Sequence, residues 1–549
     1  MMHRRVRPAG AMVGMFLFAA SPALGQFTRM SVGPGGEQLP ANASLYAPSI
    51  SDDGRRVVYA FIEDGVIDPA DANGAEDMYL YDATTGTNTR LLTDSVRPPA
   101  SSYISEFTLS GDGQWVVFGV QSCAQQLCKT DMFLYEIATG VITLVSRTPT
   151  GEAPVAGESV SASVSYDGRF VAFMSTSIDI VAPDVNDNWD VFVFDRQTGL
   201  VERISEDAMG TQVNGRADYP SISDDGRYVA FGSYSTSLEP TDNTFESDVH
   251  VFDRQTGQMR RLSQRPDGSD WSGGSFLPRI SGDGSTVIFQ TLASDAFPGR
   301  GFGFSTSIVK ADRASGSLVD ITPAGPPGSE LCTIAPLQVS DDGSLVLTTP
   351  AFCSPRPGAE RGGNAEAILI NTLTAETVGV PRTYGGSVVS ARYVAISGNG
   401  ETLAFVTDVA LVAQDTSGGN DAYLGAWCDE AQITRQPLDA VAGAGSAVNL
   451  VAEAVGFYAT YQWIRDGVPL TDGGPISGAT TPILTINPAG SVNEGAYRLI
   501  VSSDCGPAVS NLASLTVIPE PCPGDADGSG VVEFPDIVEV LRNWNSACP

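Results

Sequence analysis

The 549-residue sequence predicts an all-β protein, and three observations predict it. A block of the form S-x-[DN]-G recurs seven times at steps of 55 to 59 residues. Each block is followed by a run of β-branched and aromatic residues, and a second such run ending in a T-G type turn comes about 20 to 25 residues later. Beyond the first 25 residues no apolar stretch is long enough to cross a bilayer as a helix.

The blocks read SDDGRRVVYA, SGDGQWVVFG, SYDGRFVAFM, SDDGRYVAFG, SGDGSTVIFQ, SDDGSLVLTT and SGNGETLAFV, with the last turn glycine at Gly54, Gly113, Gly168, Gly226, Gly284, Gly343 and Gly400. Asp-Gly or Asn-Gly supplies the positive dihedrals of a tight hairpin turn. A short strand precedes each turn, as at residues 48–51, and a longer one follows, as at residues 227–231. DMYLYDATTG, DMFLYEIATG, DVFVFDRQTG and DVHVFDRQTG supply third strands, and VERIS and MRRLS supply fourth ones. Four antiparallel strands, repeated seven times, predict a seven-bladed β-propeller over residues 26–427. The seventh repeat reaches a third strand at Asp421 and then changes composition, whereas FTRMSV near the start matches the fourth strands. Residues 27–32 are therefore expected to complete the last blade and close the ring.

The repeats, above all SYDGRFVAFMSTSIDIVAPDVNDNWDVFVFDRQTGLVERIS, resemble the PD40 repeats of TolB-type, WD40-like propellers. The resemblance covers about residues 27–427 and implies the fold, while propellers host binding proteins and enzymes alike. Residues 307–316 and 367–376 depart from it, lacking the usual leading Asp. Peptidases with similar propellers also need an α/β-hydrolase domain, for which this sequence has no counterpart.

The N-terminus carries Arg4, Arg5 and Arg7, an apolar run over residues 11–20, and Ala23-Leu24-Gly25. This is the pattern of a cleaved signal peptide, residues 1–25, and places the protein outside the cytoplasm or on the cell surface. The alternative, an N-terminal membrane anchor, needs a longer run. Without those three arginines the 31 basic residues become 28 against 64 acidic ones, a balance of −36. Such a charge repels phosphate backbones, which excludes nucleic acid as a partner. Eight cysteines in an exported chain point to disulfides. Their positions suggest Cys123 with Cys128, Cys332 with Cys353, Cys428 with Cys505 and Cys522 with Cys548.

Catalytic motifs are scarce. Once His3 leaves with the signal, His250 is the remaining histidine, in a position that other repeats fill with Tyr79, Phe133 and Phe192. It reads as a packing substitute, and no G-x-S-x-G elbow accompanies it. The turn residues Asp53, Asp112, Asp167, Asp225, Asp283 and Asp342 recur with the repeat and read as turn caps. One alternating set on the innermost strands runs Ser49, Thr108, Ser163, Ser221, Arg279, Gln338 and Ala395. Arg279 and Gln338, its long polar members, are candidate channel ligand-binding residues. For Arg279 the competing reading is a structural ion pair. Asp71, Asn73 and Asp77, then Asp184, Asn186 and Asp190, and more loosely Asp415 and Asp421, have spacings that suit either calcium or ordinary Asx turns.

Residues 428–518 contain TYQWIRDGVPL and NEGAYRLIVSS. With Trp463 and Tyr497 they resemble an immunoglobulin-like domain with its tyrosine corner, although Leu450 and Leu499 stand where cysteines are usual. The segment 519–549, with CPGDADGSGVVEFPDIVEVLRNW, has oxygen ligands at calcium-loop spacing: Asp525, Asp527, Ser529, the Val531 carbonyl, Glu533 and Asp536. Ile537, Val540, Leu541 and Trp544 then form one apolar helix face. The segment resembles a single dockerin repeat, as in planctomycete-type secreted proteins, and implies calcium as cofactor and a cohesin-like or envelope partner. The function expected is a secreted or cell-surface, non-catalytic binding or scaffold protein whose propeller recognises a protein or glycan. The alternative is a secreted polysaccharide-active hydrolase or lyase that uses the propeller channel.

Overall fold

The computed structural model describes residues 27–39, 45–62, 65–71, 76–92, 103–124, 127–239, 241–297, 306–323, 330–334, 338–348, 350–353, 367–374, 377–380, 391, 393–412, 415–416, 418–426, 431–455, 460–503, 506–518, 531, 533–534 and 537–538. They divide into two compact units, residues 1–383 with 388–426 and residues 384–387 with 427–549.

The first unit is all-β and propeller-like. Its described residues form seven four-stranded antiparallel sheets. The innermost strands are Ser49–Ile50, Tyr103–Leu109, Ser159–Val164, Ala217–Ile222, Ser275–Ile280, Gln338–Val339 and Tyr393–Ile396. The last sheet takes its fourth strand from the other end of the chain: Phe27–Arg29 pairs antiparallel with Asp421–Ala426, Phe27 opposite Gly425. Hydrophobic cores lie between neighbouring sheets, because each sheet is apolar on both faces. Val58, Met78, Leu91, Val116 and Phe118, for example, close the first sheet on the second.

The repeated block is a turn with its own hydrogen-bond cage. Ser51 Oγ donates to Asp53 Oδ1 at 2.7 Å, and the same carboxylate accepts the Arg55 N–H at 3.0 Å. Equivalent bonds recur at Ser110–Asp112, Ser223–Asp225, Ser281–Asp283 and Ser340–Asp342. The glycine is needed twice over. Gly226 sits at φ 70°, and a Cβ there would lie 2.0 Å from the Phe170 ring of the neighbouring sheet. The arginine of the D-R-x-x-G turns clamps the same junction. Arg254 lies 4.1 Å from the Phe170 ring centre and donates to the Gly226 carbonyl, and Arg313 does likewise over Tyr228 with Gly284.

The turns also bond to one another around the axis. Asp52 N–H donates to Gly111 O, Asp112 to Tyr166, Tyr166 to Asp224, and Asp224 to Gly282. Asp283 then donates to Asp341, Asp341 to Gly398, and Asn399 back to Asp52. This circuit carries the residue at the variable position of S-x-D-G to the centre.

The second unit buries Trp463, Tyr497, Leu450 and Leu499 in one core. Trp463 Nε1 donates to Thr481 O at 2.9 Å, and Tyr497 Oη to Asn493 O at 2.5 Å. Leu499 stands opposite Trp463 in register.

Candidate functional site at the axis

The inner-strand series separates into two kinds of residue. Ser49, Ser163 and Ser221 each accept, through Oγ, the N–H of Leu109, Ile222 and Ile280 on the next sheet, at 2.9, 3.2 and 3.1 Å. Gln338 does the same: its Oε1 accepts the Ile396 N–H at 3.0 Å. Gln338 thus also serves as a latch between sheets.

Arg279 is different. It is the sole cation on the described inner strands and has no oxygen acceptor to offer the following sheet. Its Nη1 donates to its neighbour's carbonyl, Pro278 O, at 2.9 Å, and among the described residues no ion pair closes on it. Burial pulls its pKa down, and Glu106, from the second sheet, opposes that shift, with Tyr219 a smaller influence.

Glu106 belongs to the strand Tyr103–Leu109. It reaches the third sheet, where its Oε1 accepts the Ser161 N–H at 2.5 Å. Burial raises its pKa, against the pull of the Ser161 and Ala162 N–H groups and of Arg279. The other inner-strand acid, Asp218, is tied to Arg216 at 2.7 Å. The backbone around this pair is strained: Ser161, Tyr219 and Leu277 adopt φ of 57°, 50° and 53°. Each falls where the inner-strand register shifts, between Val160 and Ser163, Asp218 and Ser221, and Phe276 and Arg279. Non-glycine residues in this region cost about 1–3 kcal/mol each and gather at functional sites. A part-buried carboxyl with a raised pKa, in the field of a cation that has one described acceptor, is suited to moving a proton beside an anionic group.

Glu106 was legible in principle. Four residues before the serine of each block lie Ala47, Glu106, Ser161, Tyr219, Leu277, Pro336 and Tyr393. The alternating series read from the sequence lies two residues later and passes it by.

A second acidic group gathers where the turns meet. One carboxylate oxygen each from Asp52, Asp224 and Asp341 lies within 4.8 Å of the others. Burial first, and then Asp341 and Asp224, push the Asp52 pKa up to about 8. Asp341 is raised to about 7 and Asp224 to about 6, with burial again the main cause. Asp52 Oδ2 is buried without a hydrogen-bond partner. Three carboxylate oxygens at this separation can share protons or hold a hard cation such as calcium.

The Asx loops before the third strands have other partners. Arg90 takes Asp71 and Asp77 at 3.1 Å each, and Arg29 takes Asp421 at 2.5 Å and Asp415 at 3.4 Å. Asp190 is bonded by Ser205 and Gln212, and Gln212 also donates to Asp184. Asn186 donates to Val213 O. The ordinary-turn reading, with an internal partner in place of calcium, describes these residues.

His250 is fully buried, stacked on Phe231 at 5.9 Å, and its pKa is lowered to about 3 by burial and by Arg261. It occupies the place of Phe192 against Phe173 and Phe133 against Phe118. The Cys123–Cys128 disulfide is present, with a Cα separation of 4.0 Å. Glu330–Ile334 pairs with Pro350–Cys353, which puts Cys332 and Cys353 on adjacent strands. Asn73, Cys428, Cys505, Cys522, Cys548, Asp525, Asp527, Ser529, Asp536 and residues 1–25 lie outside the described residues. Of the C-terminal loop, Val531 and Glu533 are described, and the Ile537 N–H donates to Glu533 O at 3.3 Å. Among the described residues no helix is long and apolar enough to cross a membrane.

No family model matches the chain. No curated protein matches it either. Among solved structures, one of two prolyl endopeptidases is similar over 77% of this chain and 55% of its own, at 12% identity and a TM-score of 0.42. Prolyl oligopeptidase B from Galerina marginata is similar over 84% of this chain and 55% of its own, at 9% identity and a TM-score of 0.39. The chain thus spans little more than half the length of these two. A chimeric titin Z1Z2 matches 17% of this chain over 98% of its own length, at 28% identity and a TM-score of 0.16. Both of these prolyl-peptidase structures span most of the chain. Against these neighbours the expected non-catalytic binding or scaffold role is withdrawn.

Proposed function

We propose that the chain is an exported polysaccharide-active enzyme whose seven sheets are the blades of a ring-closed propeller, with the reaction carried out at its axis. Glu106 is the proton-transferring group, and Arg279 anchors the substrate beside it. The observation that carries this reading is the exchange of a latch for a cation at Arg279, with the part-buried acid Glu106 acting on it. Departures from a structural repeat mark positions where something other than the repeat decides the residue.

The remaining parts follow the sequence reading. Residues 1–25 direct export to the exterior or cell surface. The second unit is an immunoglobulin-like spacer, for which the Tyr497–Asn493 hydrogen bond and the Trp463 core are the support. Residues 519–549 hold calcium through Asp525, Asp527, Ser529, Val531, Glu533 and Asp536 and anchor the protein to a cohesin-like or envelope partner. Cys332–Cys353, Cys428–Cys505 and Cys522–Cys548 are the remaining disulfides.

The test is product release. Purified mature chain, with calcium, is incubated with a panel of neutral and acidic polysaccharides, and new reducing ends and unsaturated sugars are counted. We expect turnover on one class and a fall of about 10²-fold or more in kcat for Glu106→Gln. Equal turnover in wild type and variant would overturn the assignment of Glu106. A panel with no product at all would overturn the enzyme reading.

A further inference from the structure

We infer that the exposed tyrosines Tyr46, Tyr103 and Tyr393 form a stacking subsite for a neutral, flat-ringed polysaccharide chain, which reaches the axis from the end remote from the turns. The inference rests on the polysaccharide reading of the axis and names the polymer class and its way in.

The two ends of the first unit differ. One is closed. The S-x-D-G turns meet there, and carboxylate oxygens of Asp52, Asp224 and Asp341, from the first, fourth and sixth sheets, lie within 4.8 Å of one another. The residues between them leave no slack: a Cβ at Gly111 would lie 2.1 Å from Asp52 Oδ2, and one at Gly398 would lie 2.2 Å from Asp341 Oδ1. Oxygens packed this closely leave less clearance than a sugar ring needs.

The opposite end carries the aromatic rings. Tyr103 and Tyr393 open the innermost strands of the second and seventh sheets, opposite Gln121 and Val406. Tyr46 leads into the innermost strand of the first, its N–H donating to Ala60 O at 3.0 Å. These three sheets are consecutive in the circuit of turns, where Asn399 donates to Asp52 and Asp52 to Gly111. At the tyrosine end the Ile104 N–H donates to Glu76 Oε2 at 3.3 Å, which draws the start of the second inner strand onto the first sheet. Tyr46, Tyr103 and Tyr393 are 38%, 50% and 44% exposed. Tyrosines that serve the fold are placed otherwise: Tyr59, Tyr79 and Tyr423 are buried, with hydroxyls donating to Asn88, Asp71 and Asp415. Burial, then Glu76, Tyr103 and Tyr393, raise the Tyr46 pKa, in agreement with this placement.

Tyrosine couples an apolar ring to a polar tip, which suits a partner with C–H faces and hydroxyl edges. A sugar is such a partner. Rings carried on successive sheets fit a chain that is extended and flat, as β-1,4-linked pyranoses are, rather than coiled, as α-1,4-linked glucose is. No Lys or Arg stands on the innermost strands Ser49–Ile50, Tyr103–Leu109 or Tyr393–Ile396, whereas Glu76 and Glu106 lie at this end, which favours a neutral chain over an anionic one. Glu106 belongs to the strand that Tyr103 opens, so a chain seated on the rings is brought towards the acid.

The test is isothermal titration of the intact mature chain carrying Glu106→Gln, which separates binding from turnover. The ligands are β-1,4-linked hexasaccharides of glucose, xylose and mannose, with maltohexaose and hexagalacturonate for contrast. We expect at least one of the β-linked set to bind and the two contrast ligands to bind at least about tenfold more weakly. Tyr103→Ala and Tyr393→Ala should each weaken that binding about tenfold, and Tyr103→Phe less, since the ring remains. Tyr166→Ala, at the closed end, should leave it unchanged. Near-UV circular dichroism checks the fold; should an alanine variant fail it, the fluorescence of Tyr103→Trp, expected to shift as the β-linked ligand is added, replaces that variant. Equal loss in Tyr166→Ala, binding indifferent to the Tyr103 and Tyr393 variants, preference for a contrast ligand, or no binding at all would overturn the inference. Tyrosine-dependent binding with no turnover by the wild type would instead sink the enzymatic reading and leave the subsite standing.

Discussion

Two groups of three aspartates sit in the first unit and have opposite fates. Asp242, Asp248 and Asp270 surround Arg261, whose Nη1 lies 3.6, 3.2 and 2.6 Å from them, and the arginine is fully buried. Asp52, Asp224 and Asp341 meet at the axis with no described cation among them. Burial raises the pKa in both places, but Arg261 helps to hold Asp248 at about 6, whereas Asp52 rises to about 8 beside Asp341 and Asp224. The first group carries its own counter-charge, Arg261. The second is assembled from three sheets and relies on protons or an external cation.

Removing the built-in cation is the harshest way to break the comparison. Arg261→Ala leaves two buried acids, Asp242 and Asp248, and the part-buried Asp270 facing each other and is expected to cost about 3–5 kcal/mol, read from chemical denaturation at pH 7. A loss below about 1 kcal/mol would show that water replaces the arginine. The axis group predicts the opposite sign. The folded pKa of Asp52 lies above the 3.8 of the free residue, so the folded state holds the extra proton and stability falls as pH rises from about 4 to about 8. Asp52→Asn should remove that slope and raise stability at pH 8 by on the order of 1–2 kcal/mol, measured in chelator. If calcium sits there, adding it should flatten the slope in the wild type but not further in Asp52→Asn.

His250 gives the smallest and most specific effect, since it lies opposite Arg261 in register. Its folded pKa of about 3 is below the usual 6.5, so stability is lost as pH falls through that window, when the unfolded chain takes the proton first. His250→Phe restores the ring used at Phe133 and Phe192 and should gain on the order of 1 kcal/mol at pH 4, and less at pH 8. Equal gains at both pH values would mean packing alone is responsible.

The local devices were readable from short stretches of chain. The Ser-x-Asp-Gly cage needs five neighbouring residues and one positive φ, so its recurrence predicted the hairpins and the repeated four-stranded sheets. The match of FTRMSV to other fourth strands pointed to the pairing of Phe27–Arg29 with Asp421–Ala426, because a strand carries its own edge pattern wherever it lies in the chain. His250 read as packing because the strand period places it over a phenylalanine.

Tertiary structure alone decided what happens at the axis. Gln338 and Arg279 look alike as long polar residues in one series, yet one latches the next sheet and the other does not. Glu106 gains its meaning from Ser161 on the following sheet, and Asp52 from Asp224 and Asp341, far away in the chain. Turn dihedrals and strand alternation are set by immediate neighbours, and so they are written locally. The meeting of side chains at a centre depends on how successive sheets pack and bond around it, which no single repeat contains.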